Sequence, residues 1–181
     1  MIRSAPVVED AVTRTRWRAV APALCVGAAV AIGFATWAIL DGRPETGGAW
    51  ALGAAALLVA AGLVVPKDDP MPRMLLSFVD RVFDGAILAS IAWVTRAEDP
   101  AAAAGALLAL AAGFLAAYVR ARGAALGYLV EESAGTRAIR TGLISVALLA
   151  GWTSWALFVV AIWMLLVALV RASQVAKEER G

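Results

Sequence analysis

The chain has 181 residues, 62% of them hydrophobic and 17% charged, with a formal net charge of +2. Soluble domains average about 45–50% apolar and about 25% charged, so an ordinary water-soluble domain is excluded, as is a disordered chain. There is no histidine, which removes imidazole chemistry and His-ligated metals. The single cysteine, Cys25, rules out an internal disulfide, and the small net charge argues against a nucleic-acid partner.

A spanning helix needs roughly 20 mostly apolar residues. The first candidate covers about 20–40, after the basic lead-in Arg14, Arg16 and Arg18, and stops at the turn cluster Asp41-Gly-Arg-Pro44. Its apolar run exceeds the 7–15 residues of a signal-peptide core, so it is read as a span. The second covers about 49–65 and ends at the proline-rich stretch 66–72. The third, about 74–94, carries Asp80, Arg81 and Asp84. The fourth, about 101–119, is free of charge until Arg120.

The apolar stretch 141–170 would make one helix about 45 Å long, so a break is expected at Gly151-Trp-Thr-Ser154. This gives a fifth helix over about 138–151 and a sixth over about 153–171. The expected fold is all-α, a six-span polytopic bundle over residues 20–171. Residues 1–19 form a basic cytoplasmic segment and 172–181 a cytoplasmic tail.

Basic residues test that count. With both termini inside, 13 of the 16 Lys and Arg fall on the inner side, as cytoplasmic loops require. Trp37, Trp50, Trp93, Trp152 and Trp155 fall near outer ends, where indole rings favour the membrane interface. The expected location is a bacterial-type plasma membrane. Helix four repeats a small residue every fourth position, at Gly105, Ala109, Gly113 and Ala117. Such a ladder lets helices approach closely, within the chain or across a dimer.

Ionisable residues inside a membrane are costly and mark function by default. Asp80 and Asp84, four apart, share one helix face, with Ser77 one turn earlier. Arg81 can neutralise Asp84; alternatively, Asp80 stays free to take a proton or bind a metal. Arg120 and Arg122 close helix four, while Arg137 and Arg140 open helix five. Those four guanidinium groups could clamp phosphate, or set topology and touch anionic headgroups.

The segment Ser77-Phe-Val-Asp-Arg-Val-Phe-Asp-Gly, through to Trp93, resembles the third helix of the CDP-alcohol phosphatidyltransferases. Tyr118-Val-Arg-Ala-Arg-Gly, Leu126-Gly127 and Thr136-Arg-Ala-Ile-Arg140 resemble its later part. The resemblance is greatest to the phosphatidylinositol-phosphate and phosphatidylglycerol-phosphate synthase branches and covers roughly residues 74–151. It implies a six-helix bundle with both termini inside.

The family holds two divalent metals with the aspartates of D-x2-D-G-x2-A-R-x8-G-x3-D-x3-D. On that resemblance Asp80 takes the place of the last aspartate, the candidate catalytic base. The preceding aspartate is replaced by Leu76, and the first half falls on residues 57–65, which lack any carboxylate. Pairing Asp80 and Asp84 as the last two instead puts the signature glycine on Leu76. Asp68 and Asp69 are adjacent and cannot share a helical face. Two Mg²⁺ ions need several carboxylates at once, so no metal or cofactor is expected.

The expected function is therefore a catalytically silent membrane domain of phospholipid synthesis. It would bind anionic lipid or phosphate through Arg120, Arg122, Arg137 and Arg140, as a homodimer or beside an active synthase. The alternatives are an active, divergent transferase with Asp80 as base and Mg²⁺ on Asp80 and Asp84, with Asp68 or Asp69 as further ligand candidates, or a small transporter or structural membrane protein.

Overall fold

The computed structural model describes residues 6–65, 70–128, 134–151 and 153–178. They form six helices: α1 (Pro6–Leu40), α2 (Pro44–Val64), α3 (Pro70–Thr95), α4 (Pro100–Ala125), α5 (Ala134–Ala150) and α6 (Thr153–Glu178). Four of them begin at a proline, whose missing N–H costs nothing in a first turn. Asp99 caps α4, its side chain accepting the Ala102 N–H at 2.9 Å. Gly151, at φ +70°, supplies the left-handed residue that separates α5 from α6 at the expected break.

Most helices outrun their apolar segments. α1 starts at Pro6 and passes through Pro22; α4 runs on to Ala125 and α6 to Glu178. Alanine, arginine, lysine and glutamate are strong helix formers, and no glycine–proline punctuation stops the chain where hydrophobicity ends.

The chain is an all-α bundle, and four of its helices are long and apolar enough to cross a membrane: α1 over Ala19–Leu40, α2, α4, and α6 over Ser154–Gln174. α3 differs because Asp80, Arg81 and Asp84 lie about its midpoint. α5 differs because it has only 17 residues.

Following their main contacts, the helices close into a ring in the order α1–α2–α5–α6–α4–α3. Small residues make this closure possible. A Cβ on Gly48 would stand 2.9 Å from Leu148 Cβ and 3.0 Å from the Leu149 backbone N, so α2 lies directly against α5. Similarly, Gly105 of α4 leaves room for Leu157 of α6. The ladder on α4 thus packs within the chain, with Gly105, Ala109 and Gly113 buried.

The end of the bundle carrying residues 41–43 and 96–99 is ringed with aromatics. Trp37, Trp50, Trp93 and Trp155 are exposed there, while Trp152 lies outside the described residues. Arg43 lies over the Trp37 ring, 4.6 Å from its centroid, and Arg96 over Trp93 at 3.8 Å. At the same end Ser154 donates a hydrogen bond to Asp99, tying α6 to the start of α4.

Candidate functional site: a buried carboxylate–guanidinium cluster

α3 turns an apolar face inward through Leu76, Val79, Phe83, Ile87 and Ile91, and Asp80 and Asp84 lie within that face. The same helical spacing that buries the apolar residues therefore buries the carboxylates, Asp80 completely and Asp84 to 2% exposure. α5 answers with a polar stripe. Arg137, Arg140, Thr141 and Ser145, at i, i+3, i+4 and i+8, are all buried. Thr141 and Ser145 donate back to the carbonyls of Arg137 and Thr141, at 2.9 and 2.7 Å. The stripe thus satisfies its own hydroxyls and leaves the guanidinium groups for α3.

The two helices meet through these side chains. Arg140 bridges both carboxylates: its Nη2 lies 2.7 Å from Asp80 Oδ2 and its Nε 3.0 Å from Asp84 Oδ1. Arg81 does the same from α3, with Nη2 at 2.6 Å from Asp80 Oδ2 and Nη1 at 2.8 Å from Asp84 Oδ2. Arg137 Nε approaches Asp80 Oδ1 at 3.3 Å. A Cβ on Gly62 of α2 would lie 2.9 Å from Arg137 Nη1, so that glycine makes space for the guanidinium group. Among the described residues, Asp80 thus faces at least three cations and Asp84 at least two.

Backbone carbonyls of α4 complete the cluster. Arg81 Nη1 donates to Gly113 O at 3.1 Å, and Arg171 of α6 reaches Ala116 O at 3.3 Å. Arg120 donates to Ser77 Oγ at 3.0 Å. Arg81, Arg120, Arg140 and Arg171 line one narrow crevice beside Gly113 and Met164. Guanidinium is the cation suited to this place, because its planar fork meets two carboxylate oxygens at once and stays charged when buried.

The four arginines expected on one basic surface occupy three kinds of place. Arg137 and Arg140 are inside the bundle on the two aspartates. Arg120 is partly buried and joined to α3, and Arg122 is exposed in the last turn of α4. Asp80, the candidate base, has guanidinium groups against both oxygens. The Arg81–Asp84 pairing legible at i, i+3 is present. Asp68 and Asp69 lie outside the described residues.

The long-range pairing of α5 with α3, and the contribution of Arg171, went unread in the sequence. The signal for the first was available: a helix with a polar stripe inside a membrane turns that stripe toward the protein interior. Among the described residues no three His, Cys, Asp or Glu side chains gather as a metal site would need. The arrangement neutralises two buried carboxylates and ties α3 to α5 across the ring. Comparisons with protein-family models, curated proteins and solved structures find no match to this chain.

Proposed function

We propose that the chain is a six-span, catalytically silent membrane domain with the bundle of the CDP-alcohol phosphatidyltransferases. Its charged centre would hold the helices together, and its basic end would engage anionic lipid headgroups or phosphate. The observation that carries this reading is the double bridging of Asp80 and Asp84 by Arg81 and Arg140. Carboxylates that ligate Mg²⁺ must turn their oxygens to the metal, and here guanidinium groups stand against those oxygens. A base must also present a free oxygen to its substrate, and guanidinium groups stand against both oxygens of Asp80.

The connections support a six-span count. Only five residues separate α2 from α3 and four separate α3 from α4. If α2 and α4 cross a bilayer in the same direction, α3 would return between them, and α5, joined to α6 by two residues, would pair with α6 in the same way. Burial of Asp80 and Asp84 inside the ring makes α3 tolerable as a span, because both carboxylates are paired with guanidinium groups there. The inner end is then the one carrying the termini and the arginine-rich ends of α4 and α5. A domain of this kind would act as a homodimer or beside an active phospholipid synthase.

Mn²⁺ offers a direct test, since it replaces Mg²⁺ in oxygen sites and is visible by electron paramagnetic resonance. The protein in detergent should immobilise no Mn²⁺ that Asp80→Asn releases. A spin-coupled pair of Mn²⁺ ions lost in Asp80→Asn would sink the proposal.

A further inference from the structure

On the outside of the ring, α4 and α6 leave an apolar groove of about 330 Å³. Leu108, Ala111 and Leu115 of α4 and Phe158, Ala161 and Leu165 of α6 line it. This groove is separate from the charged centre, because the α4 residues that line the crevice, Gly113, Ala116 and Arg120, turn to another side of that helix.

Continuing the groove face of α4 toward the end of the helix leads to Tyr118 and Arg122. At 100° per residue, positions 108, 111, 115 and 122 fall on one side. Tyr118 is exposed, and so is Arg122. Among the described residues the Arg122 guanidinium has no hydrogen bond or ion pair, unlike Arg81, Arg120, Arg137, Arg140 and Arg171.

Depth fits a lipid as well. The midpoint of α4 falls at residues 112–113, beside the groove. Arg122 lies about 14 Å further along the helix axis, and half of a hydrocarbon core is about 15 Å. In a bilayer centred on that midpoint, Arg122 would stand at the headgroup level of one leaflet and the groove at the level of the acyl chains.

We infer that the α4–α6 groove and Arg122 together form a site for one anionic phospholipid, its acyl chain in the groove and its phosphate on Arg122. This deepens the proposed function, resting on its membrane reading and naming which basic residue meets lipid and where. Charge complementarity selects the occupant. A second copy of the chain would have to bring a carboxylate to Arg122, whereas an anionic phospholipid brings a phosphate at the right depth to an apolar slot. Tyr118, one turn before Arg122, can donate its hydroxyl to the same headgroup.

Native mass spectrometry of the full chain in a neutral detergent tests the site, using phosphatidylglycerol and phosphatidylcholine with identical acyl chains. The wild-type chain should retain one phosphatidylglycerol at least fivefold over phosphatidylcholine. Arg122→Gln should bring that preference near unity while phosphatidylcholine retention stays unchanged. Ala111→Phe, which fills the groove from an exposed position, should lower retention of both lipids. Arg96→Gln, at the opposite end, should change nothing.

An unchanged preference in Arg122→Gln, or unchanged retention in Ala111→Phe, would overturn the site. Displacement of phosphatidylglycerol by millimolar inorganic phosphate would overturn it too, by showing that the acyl chain is not held. A Leu115→Cys variant that crosslinks to a second copy in phosphatidylglycerol vesicles would place a protein helix in the groove and also end the proposal. None of these readouts involves Mn²⁺ or turnover, so the lipid site and catalytic silence can fail independently.

Discussion

Replacing Arg140 with methionine probes the centre of the bundle with little change in volume. The substitution removes contacts of 2.7 Å to Asp80 and 3.0 Å to Asp84. Two unit charges about 4 Å apart attract by about 4 kcal/mol at an effective dielectric of 20. Two such contacts would give about 8 kcal/mol, but exposing the pair to solvent in the unfolded state offsets much of this. Removing one partner of a buried pair typically costs about 3–5 kcal/mol. Arg81 remains on both carboxylates and Arg137 on Asp80, so Arg140→Met should fall at the lower end, about 3 kcal/mol.

Asp80→Leu should cost more, about 5 kcal/mol, because Arg81 and Arg140 would each lose one of two carboxylate contacts and Arg137 would lose its contact with Asp80. The assay is reversible unfolding in mixed micelles followed by circular dichroism. A double-mutant cycle of Arg140→Met with Asp84→Leu should show coupling of about 1–3 kcal/mol. Arg140→Met within about 0.5 kcal/mol of wild type, or a cost larger than that of Asp80→Leu, would refute the network as described.

Further outcomes follow from the packing and the cap. Gly48→Ala should destabilise by about 1–3 kcal/mol, since its methyl would meet Leu148 and the α5 backbone at 2.9–3.0 Å. Gly53→Ala, with open space around it, should be neutral or favourable by about 0.5–1 kcal/mol in the same unfolding assay. At the start of α4, the Ser154 hydroxyl and then the Ala102 N–H hold the Asp99 carboxyl below its usual range. A depressed folded value gives a contribution that is complete at neutral pH. That contribution is lost as pH falls below about 3.9 and through the lower folded value. Hydrogen exchange at Ala101–Ala103 should therefore accelerate at acid pH beyond its intrinsic trend, and Asp99→Asn should flatten that response.

The helices were legible because hydrophobic runs, turn clusters and prolines agreed with one another. The break at Gly151 followed from length alone, since one 30-residue span would overreach the bilayer, and its φ of +70° supplies the physical means. Helix ends were less legible. Hydropathy marks where lipid would stop, whereas α1, α4 and α6 continue on the intrinsic propensity of Ala, Arg and Lys. At the site, local pairs could be read and distant ones could not. Arg81 and Asp84 announce themselves at i, i+3, but no spacing pairs Asp80 with Arg140, sixty positions away. Its helix carries the clue in the spacing of Arg137, Thr141 and Ser145, which marks an inward polar face rather than a surface basic cluster. Arg122, outside that stripe, keeps the exposed position expected of all four.

Turnover decides the central claim most directly. The purified full chain would be incubated with CDP-diacylglycerol, an alcohol-phosphate acceptor and Mg²⁺, and release of CMP followed. Asp80 and Asp84 held by guanidinium groups predict no release above a protein-free control, and none in Asp80→Asn. Mg²⁺-dependent release by the wild-type chain, abolished by Asp80→Asn, would contradict the account and make the cluster a working active site.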